Sequence, residues 1–401
     1  MRLALLLVGA LLIRAGWGLR QPTSDDAIGA LPDQREYLQL GRNLWTHHVL
    51  TFRDERFGDD VYAYRTPGYP LLIAACAGNV SAVRIAHALS DTSTVLAVYL
   101  MARRWLLPGG SFFAALLVAV NPFFIYFSGL ILSETLFISM LAWGMALFVR
   151  RHTAAGLGLL SLAVLVRPSA IAMPALLAFF ATLIDSTWRR ALLTSLVGAM
   201  LTFAVLLPWA IRNHRLLNEW IWTTTNRGIT AYDGFNPNAN GSSNQKFVFE
   251  RPDLRGLGEV DRSKHLGELA SKYVRENPGR AVELGIRKIA RTWSPVPLSE
   301  QFGSRKLYVI AAAVYSGPLD FLVILGLWRA SSIPRRAKIF LMLPAVYFTA
   351  VHAMSVGSLR YRMPAEAPMA VVAAAAAVGI CASSDADRHP EGTPEGSRTA
   401  V

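Results

Sequence analysis

The sequence predicts an all-α polytopic membrane protein of about ten transmembrane helices with two long polar segments. Three observations carry this. The chain is 53% hydrophobic and only 17% charged, against roughly 25% charged residues in soluble domains. Apolar runs of about 20 residues, enough to cross a ~30 Å hydrocarbon core as a helix, recur along it. Basic residues gather in alternate short connections between those runs, as the positive-inside rule requires of cytoplasmic loops.

Taken in order, "MRLALLLVGALLIRAGWGLR" reads as a retained first helix, with Arg2 inside and Arg14 near the outer end. It lacks the small-x-small site of a cleaved signal peptide. Polar segment 21–69 follows, then "YPLLIAACAG", an apolar helix too brief to cross. Further spans are expected near 81–103, 111–128, 131–149, 154–167, 169–185 and 189–210. A second polar segment, 211–306, precedes spans near 307–328, 336–354 and 364–382. The membrane domain is therefore 1–382, and 383–401 has the Pro/Gly/Ser-rich composition of a disordered cytoplasmic tail.

With Arg2 inside, Arg103–Arg104, Arg150–Arg151, Arg189–Arg190 and the group Arg329, Arg335, Arg336 and Lys338 all fall on the cytoplasmic side. Both polar segments, and the corners near 129, 167 and 358, then lie on the outer face. Much of the net charge of +13 resides in the short loops, where Arg and Lys set orientation and meet anionic lipid headgroups. Membrane lipids, and not nucleic acid, are the expected partners of that charge. Cys76 and Cys381, at opposite ends of the chain, form neither a disulfide framework nor a metal motif.

Ionisable residues in or beside spans are costly and mark function or a buried partner. Asp33, Glu36, Arg65, Glu134, Arg167, Arg212, Arg360 and Arg362 all lie at outer helix ends or in outer loops. A conducting pathway would carry polar groups through both halves of the bilayer. The exception is Arg84, His87 and Asp91, which share one helix face and are expected to form a self-paired stripe tying helices together. A carboxylate such as Asp33 can take a proton from an attacking hydroxyl or amine. Arginine forks suit phosphate and stay charged at any working pH. These parts fit the transfer of a sugar from a lipid phosphate to an acceptor. Such a reaction needs no nucleotide fold, and no glycine-rich strand–helix loop is present.

Plainer readings stand beside this one. Asp33 opens the helix "DQREYLQLGRNL", so with Glu36 three residues on it fits a capping box. "RDERFGDD", with Asp54, Glu55, Asp59 and Asp60, is either a divalent-cation site or a solvated acidic loop. No other cofactor is indicated. His47 and His48 point to opposite sides of a helix and make a poor chelate.

On these residues the chain resembles the bacterial integral-membrane glycosyltransferases of the protein O-mannosyltransferase and aminoarabinose-transferase type (family 39 and its relatives, the GT-C fold). That family's first outer loop has an Asp-Glu pair standing four residues before a Tyr or Phe. Here Asp33-Gln34 precedes Tyr37, and Gln34 replaces the second acid. "YRTPGYPLLIA", with Arg65, is similar to the end of that loop, and "NPFFIYFSGLILSETLF", with Ser133-Glu134, to the next outer corner. "LVRPSA" supplies Arg167 and "LPWAIRNH" supplies Arg212. "TTNRGITAYDGFNPNANG" is similar to the family's Asn/Gly-rich segment, and "LRYRMPAEAP" to its arginine-and-proline corner.

The resemblance implies a GT-C-like bundle in the bacterial cell membrane with an extracytoplasmic active site. It implies an inverting transfer from a polyprenyl-phosphate sugar donor to a lipid, envelope glycan or protein acceptor. Asp33 would be the base, and Arg212 with Arg360 and Arg362 the phosphate contacts; Glu36, Tyr37, Arg65, Glu134 and Arg167 would bind substrate. A lipid-linked sugar flippase or transporter, and a non-catalytic envelope assembly factor of the same fold, are the alternatives. The orientation is directly testable with an impermeant thiol reagent. Asn240→Cys should label from outside intact cells and Glu395→Cys only after lysis; labelling of both in intact cells would overturn the topology.

Overall fold

The computed structural model describes residues 1–298 and 305–388, with side chains of the last helix as far as 378. The chain opens with α1 (Arg2–Arg20) and then builds a first loop layer. This comprises α2 (Asp25–Gly29), α3 (Pro32–His47), strands β1 (Phe52–Asp54) and β2 (Asp59–Val61), and α4 (Gly68–Ala75). The bundle continues through α5 (Val80–Ala102), α6 (Pro108–Ala119), α7 (Pro122–Ser128), α8 (Glu134–Val149), α9 (Thr153–Val166), α10 (Met173–Asp185) and α11 (Trp188–Leu217). A second loop layer holds α12 (Asn226–Gly234), α13 (Phe247–Glu250), α14 (Glu259–Glu276) and α15 (Pro278–Thr292). The bundle closes with α16 (Lys306–Arg329), α17 (Arg335–Ala353) and α18 (Met363–Arg388).

The ten apolar segments are all helical, but length and composition qualify fewer of them as spans. Among the described residues, five helical stretches are long and apolar enough to cross a membrane, or six if α6 and α7, bent by 50°, count as one. Helices α8, α9 and the described apolar part of α18 are shorter. At ~1.5 Å per residue, the 16 residues of α8 reach only about 24 Å. Their surroundings explain this. Phe137, Leu141 and Met145 of α8 are buried against Val95, Val98 and Met101 of α5, and a helix wrapped by protein need not match the bilayer. The helices that face outward carry the lipid-facing surface: Leu5, Val8 and Leu12 on α1, Met200 and Phe203 on α11, and Val314, Phe321 and Ile324 on α16 are exposed. Contiguous apolar exposure of this extent belongs against lipid. The protein is a multi-pass membrane protein.

The polar stripe of α5 ties helices as expected, but its members pair with other elements and not with one another. Asp91 takes Nε–H of Arg14 at 2.5 Å. Arg14 is fully buried in the bundle. Its remaining donors reach the carbonyls of Ala119 at 2.9 Å and Val118 at 3.1 Å. Both lie where α6 breaks, because Pro122 cannot continue its hydrogen-bond ladder, and the Val118 carbonyl also accepts from Asn121 N–H at 3.3 Å. Asn121 caps the helix beyond the break, its Oδ1 accepting from Phe123 N–H at 2.9 Å. Arg84 donates to the carbonyls of Gly129, Gln21 and Pro22, and His87 meets the Tyr69 hydroxyl at 3.1 Å.

The two loop layers pack on each other at one face of the bundle, hereafter the loop face. Their shared core includes Leu50, Phe52, Val61, Tyr64, Ile229 and Leu266. The antiparallel pair β1–β2, with Phe52 opposite Val61, is a small exception to the all-α expectation. Glu259, at the start of α14, accepts from the backbone N–H groups of Tyr62 and Ala63 and from the Thr225 hydroxyl. Helix α18 continues to Arg388, past the expected end at 382, while 389–401 lie outside the described residues.

Removing one partner of a buried ion pair costs about 3–5 kcal/mol, because the other charge is left uncompensated. Arg14→Met should therefore lower the thermal midpoint in detergent sharply, and Arg14→Met with Asp91→Leu should recover much of the loss. A double variant no more stable than the single one would assign the whole cost to the carbonyls of Val118 and Ala119.

Candidate active site

Helix α3 is capped by Leu31 without any side-chain bond, and Pro32 takes the first helical position. Asp33 is therefore the second helical residue and not the cap, so the capping box does not form. The carboxylate turns instead to two arginines. Its Oδ1 accepts from Arg65 Nη2 at 2.7 Å and its Oδ2 from Arg360 Nη1 at 2.9 Å. Glu36 is buried one turn along α3 and accepts from Arg65 Nε at 3.0 Å. One guanidinium thus bridges both acids of the first loop.

The cluster extends to the neighbouring helix ends. Glu134, at the start of α8, lies 3.2 Å from Arg167 Nη1 and 3.8 Å from Arg360 Nε. The Arg360 and Arg167 guanidiniums stand 5.1 and 5.4 Å from the centre of the Tyr361 ring. That ring stacks on His352 at 3.7 Å, with 4° between the planes. The Arg65 guanidinium lies between Tyr37 and Tyr64, at 5.1 and 5.3 Å from their centres, and Tyr37 donates to Ser133 Oγ at 3.4 Å. The structure brings Asp33, Glu36, Tyr37, Arg65, Glu134, Arg167 and Arg360 into one network.

Burial would push the Asp33 carboxyl up, but the charges and hydrogen bonds of Arg65 and Arg360 hold it well below the usual carboxylate range. Glu36 goes the other way: its burial outweighs Arg65, and the nearby Asp33 charge adds to the rise. Two nitrogens of the cluster make no hydrogen bond. Arg167 Nη1 and His352 Nε2 are buried without a hydrogen-bond partner, the former close enough to Glu134 for attraction but not aligned to bond it.

Arg212 and Arg362 stand outside the network. Arg212 donates to the carbonyls of Tyr62 at 2.6 Å and Leu50 at 2.7 Å, pinning both ends of the hairpin to α11. Arg362 is fully buried and donates to Glu366 Oε1 at 2.8 Å, to the Ser294 carbonyl at 3.1 Å and to Ser316 Oγ. Positions two apart on a helical turn do not share a face, which is why Arg360 and Arg362 part company. Gln34 is also bound into the fold. Its Oε1 accepts from Ile131 N–H at 2.7 Å and its Nε2 donates to the Ile28 carbonyl at 3.4 Å. A carboxylate would face that carbonyl with no proton to offer.

Sequence reasoning missed Arg56, Tyr64, His352 and Tyr361. Arg56 lay concealed in the acidic run. It binds Asp54 through Nε and Nη2 and reaches Glu36 at 3.5 Å. Each acid of that run has an arginine of its own, since Glu55 pairs with Arg35, Asp59 with Arg262 and Asp60 with Arg53. Among the described residues, no group of three or more His, Cys, Asp or Glu is placed to hold a metal ion.

No family model matches the sequence, and no curated protein matches it. Solved structures do match the fold. The archaeal oligosaccharyltransferase AglB from Archaeoglobus fulgidus, in complex with an inhibitory peptide and a dolichol-phosphate, matches 100% of this chain at 14% identity with a TM-score of 0.59. The Archaeoglobus fulgidus oligosaccharyltransferase tethered with an acceptor peptide matches at 16% identity with a TM-score of 0.56, also over 100% of this chain. In both cases this chain spans about half, 52%, of the length of the other. ArnT from Cupriavidus metallidurans bound to undecaprenyl phosphate is matched over 98% of this chain and 80% of its own, at 15% identity with a TM-score of 0.43. The fold is that of the membrane GT-C glycosyltransferases.

The corner that carries Arg360 is positioned by α15. A Cβ at Gly357 would lie 2.6 Å from the Lys288 backbone, so only glycine permits this approach. The Lys288 side chain is itself fully buried, its Nζ 3.4 Å from the centre of the Phe235 ring and without a hydrogen bond. Burial lowers its pKa to about 8, against a smaller opposing pull from Asp233. An unfolded chain, with a lysine near ~10.4, then binds more protons between pH 8 and 10, so stability rises with pH across that window. Lys288→Met should raise the thermal midpoint by a few degrees at pH 7, and its advantage should fade as pH approaches 10. A constant difference across that range would contradict the charge argument.

Proposed function

We propose that the protein transfers a sugar, with inversion, from a polyprenyl-phosphate-linked donor to an acceptor at the loop face, and that this face is extracytoplasmic. The observation that carries the reading is the placement of Asp33. It is a partly exposed carboxylate, bonded to Arg65 and Arg360, in a network where Arg167 Nη1 is buried with no hydrogen-bond partner. The fold supports the donor class, since the oligosaccharyltransferase that shares it is described with a dolichol-phosphate.

In the proposed reaction the acceptor hydroxyl or amine attacks the anomeric carbon, the carbon–oxygen bond to phosphate breaks, and the lipid phosphate departs with that electron pair. The acceptor proton passes to Asp33. At rest Asp33 is a weak base, because two guanidiniums stabilise its charge. A donor phosphate contacting Arg360 and Arg167 competes for one of them, and so raises the basicity of Asp33 when donor is bound. Arg65 and Glu36 hold the carboxylate in place meanwhile. Tyr361, beneath both arginines, fixes their planes for phosphate. The transporter alternative loses its one sequence support, because Arg84, His87 and Asp91 are all engaged in holding helices together.

The experiment is release of free polyprenyl phosphate from a panel of polyprenyl-phosphate sugars by purified variants. Asp33→Asn should fold normally and lose about a hundred-fold or more in rate; full activity in that variant would refute the base assignment. Arg360→Lys loses the bidentate fork. At ~1.5–3 kcal/mol for a charge-assisted hydrogen bond, it should cost roughly ten- to a hundred-fold. Arg212→Lys and Arg362→Lys should affect stability more than donor affinity.

A further inference from the structure

We infer that the cavity beside the cluster is the acceptor site, and that it selects an anionic sugar, one that carries a carboxylate or a phosphate. This rests on the glycosyltransferase reading for its purpose, but the binding itself does not. The cavity has a volume of about 480 Å³, within the ~300–1,000 Å³ usual for small-ligand sites. It is lined by Arg56 and Phe57 of the hairpin turn and by Phe249, Arg251, Arg255 and Arg262.

The charge of the wall is one-sided. Among the described residues Asp59 is the only acid lining it, and that carboxylate is engaged by Arg262 at 2.9 Å. Arg56 and Arg251 are neutralised from behind by Asp54 and Asp253, and Arg255 is exposed with no ion pair among the described residues. Of the four arginines lining the cavity, Arg255 is therefore the one left without an ion-pair partner among the described residues for whatever enters. Its two aromatics suit a sugar ring. Phe57 is held flat by Arg262, whose guanidinium lies 3.6 Å from the ring centre, and Phe249 is 68% exposed.

Position links the cavity to the proposed chemistry. Arg56 lines the cavity and also reaches Glu36 at 3.5 Å and the Tyr64 hydroxyl at 2.8 Å. Tyr64 packs on Arg65, which holds Asp33. An acid group bound by Arg255 and Arg251 would leave the rest of a glycan to extend past Arg56 toward the base. Neutral sugars would gain nothing from these arginines.

Calorimetry on the purified full chain in nanodiscs, with trigalacturonate, glucose 6-phosphate and neutral maltotriose as probes, tests this. At least one anionic probe should bind about tenfold or more tighter than maltotriose, and added salt should weaken it. Preference for trigalacturonate would identify a uronate and preference for glucose 6-phosphate a phosphosugar. Arg255→Glu, at an exposed and unpaired position, should weaken the anionic probe by about tenfold or more, while undecaprenyl phosphate binding stays at the wild-type level. Phe249→Ala should weaken trigalacturonate with no change in salt dependence. Equal binding of all three probes, or unchanged binding by Arg255→Glu, overturns the inference and leaves the donor reading intact. Full transfer by Asp33→Asn would instead remove the assigned base and leave this binding result standing.

Discussion

A single guanidinium, that of Arg65, lies between two carboxylates one helical turn apart, and the loop face is organised around it. Asp33 and Glu36 would repel each other in a partly buried site, and each would be costly to ionise alone. Arg65 satisfies both, Nη2 donating to Asp33 and Nε together with Nη2 to Glu36, which requires the segment after β2 to return alongside α3. Its charge does not fully balance the pair. Arg360 supplies the remainder from the far end of the chain, so the last corner of the bundle must close onto the first loop.

The other buried arginines answer a different requirement. In a membrane bundle every broken helix exposes carbonyls that no water can satisfy. Arg14 serves the end of α6, Arg84 the turns at 21–22 and 129, and Arg212 the two ends of the hairpin. Each of these forks is largely filled by backbone oxygen. Arg65, Arg167 and Arg360 face carboxylates instead, and Arg167 Nη1 makes no hydrogen bond. Side chains of identical chemistry are thus divided between meeting backbone oxygen and meeting carboxylates.

Gln34 shows how local geometry narrows chemistry. Where the resembled family carries a second acid, this chain has an amide that both accepts from Ile131 and donates toward Ile28. The substitution supports the packing of the first loop against the corner before α8, and it leaves Asp33 as the carboxylate of that pair. Glu36 remains nearby, more deeply buried than Asp33, and its burial raises its pKa.

Membrane class, the ten apolar segments and the grouping of charged residues at one set of helix ends were legible in the sequence. Hydropathy and charge asymmetry act locally, over the length of one helix or one loop, so they are written in contiguous residues. That Asp33, Glu36, Arg65, Glu134, Arg167 and Arg360 belong together followed from their shared side. Tertiary structure alone decided that α8 is short and packed among its neighbours, that Leu31 and not Asp33 caps α3, and that Arg212 and Arg362 bond to groups outside the Asp33 network. It also brought in Arg56, His352 and Tyr361, none of which any spacing marked. The reason is the reach of a guanidinium: its role depends on which oxygen comes within about 3 Å, and for Arg360 that oxygen is 327 residues away.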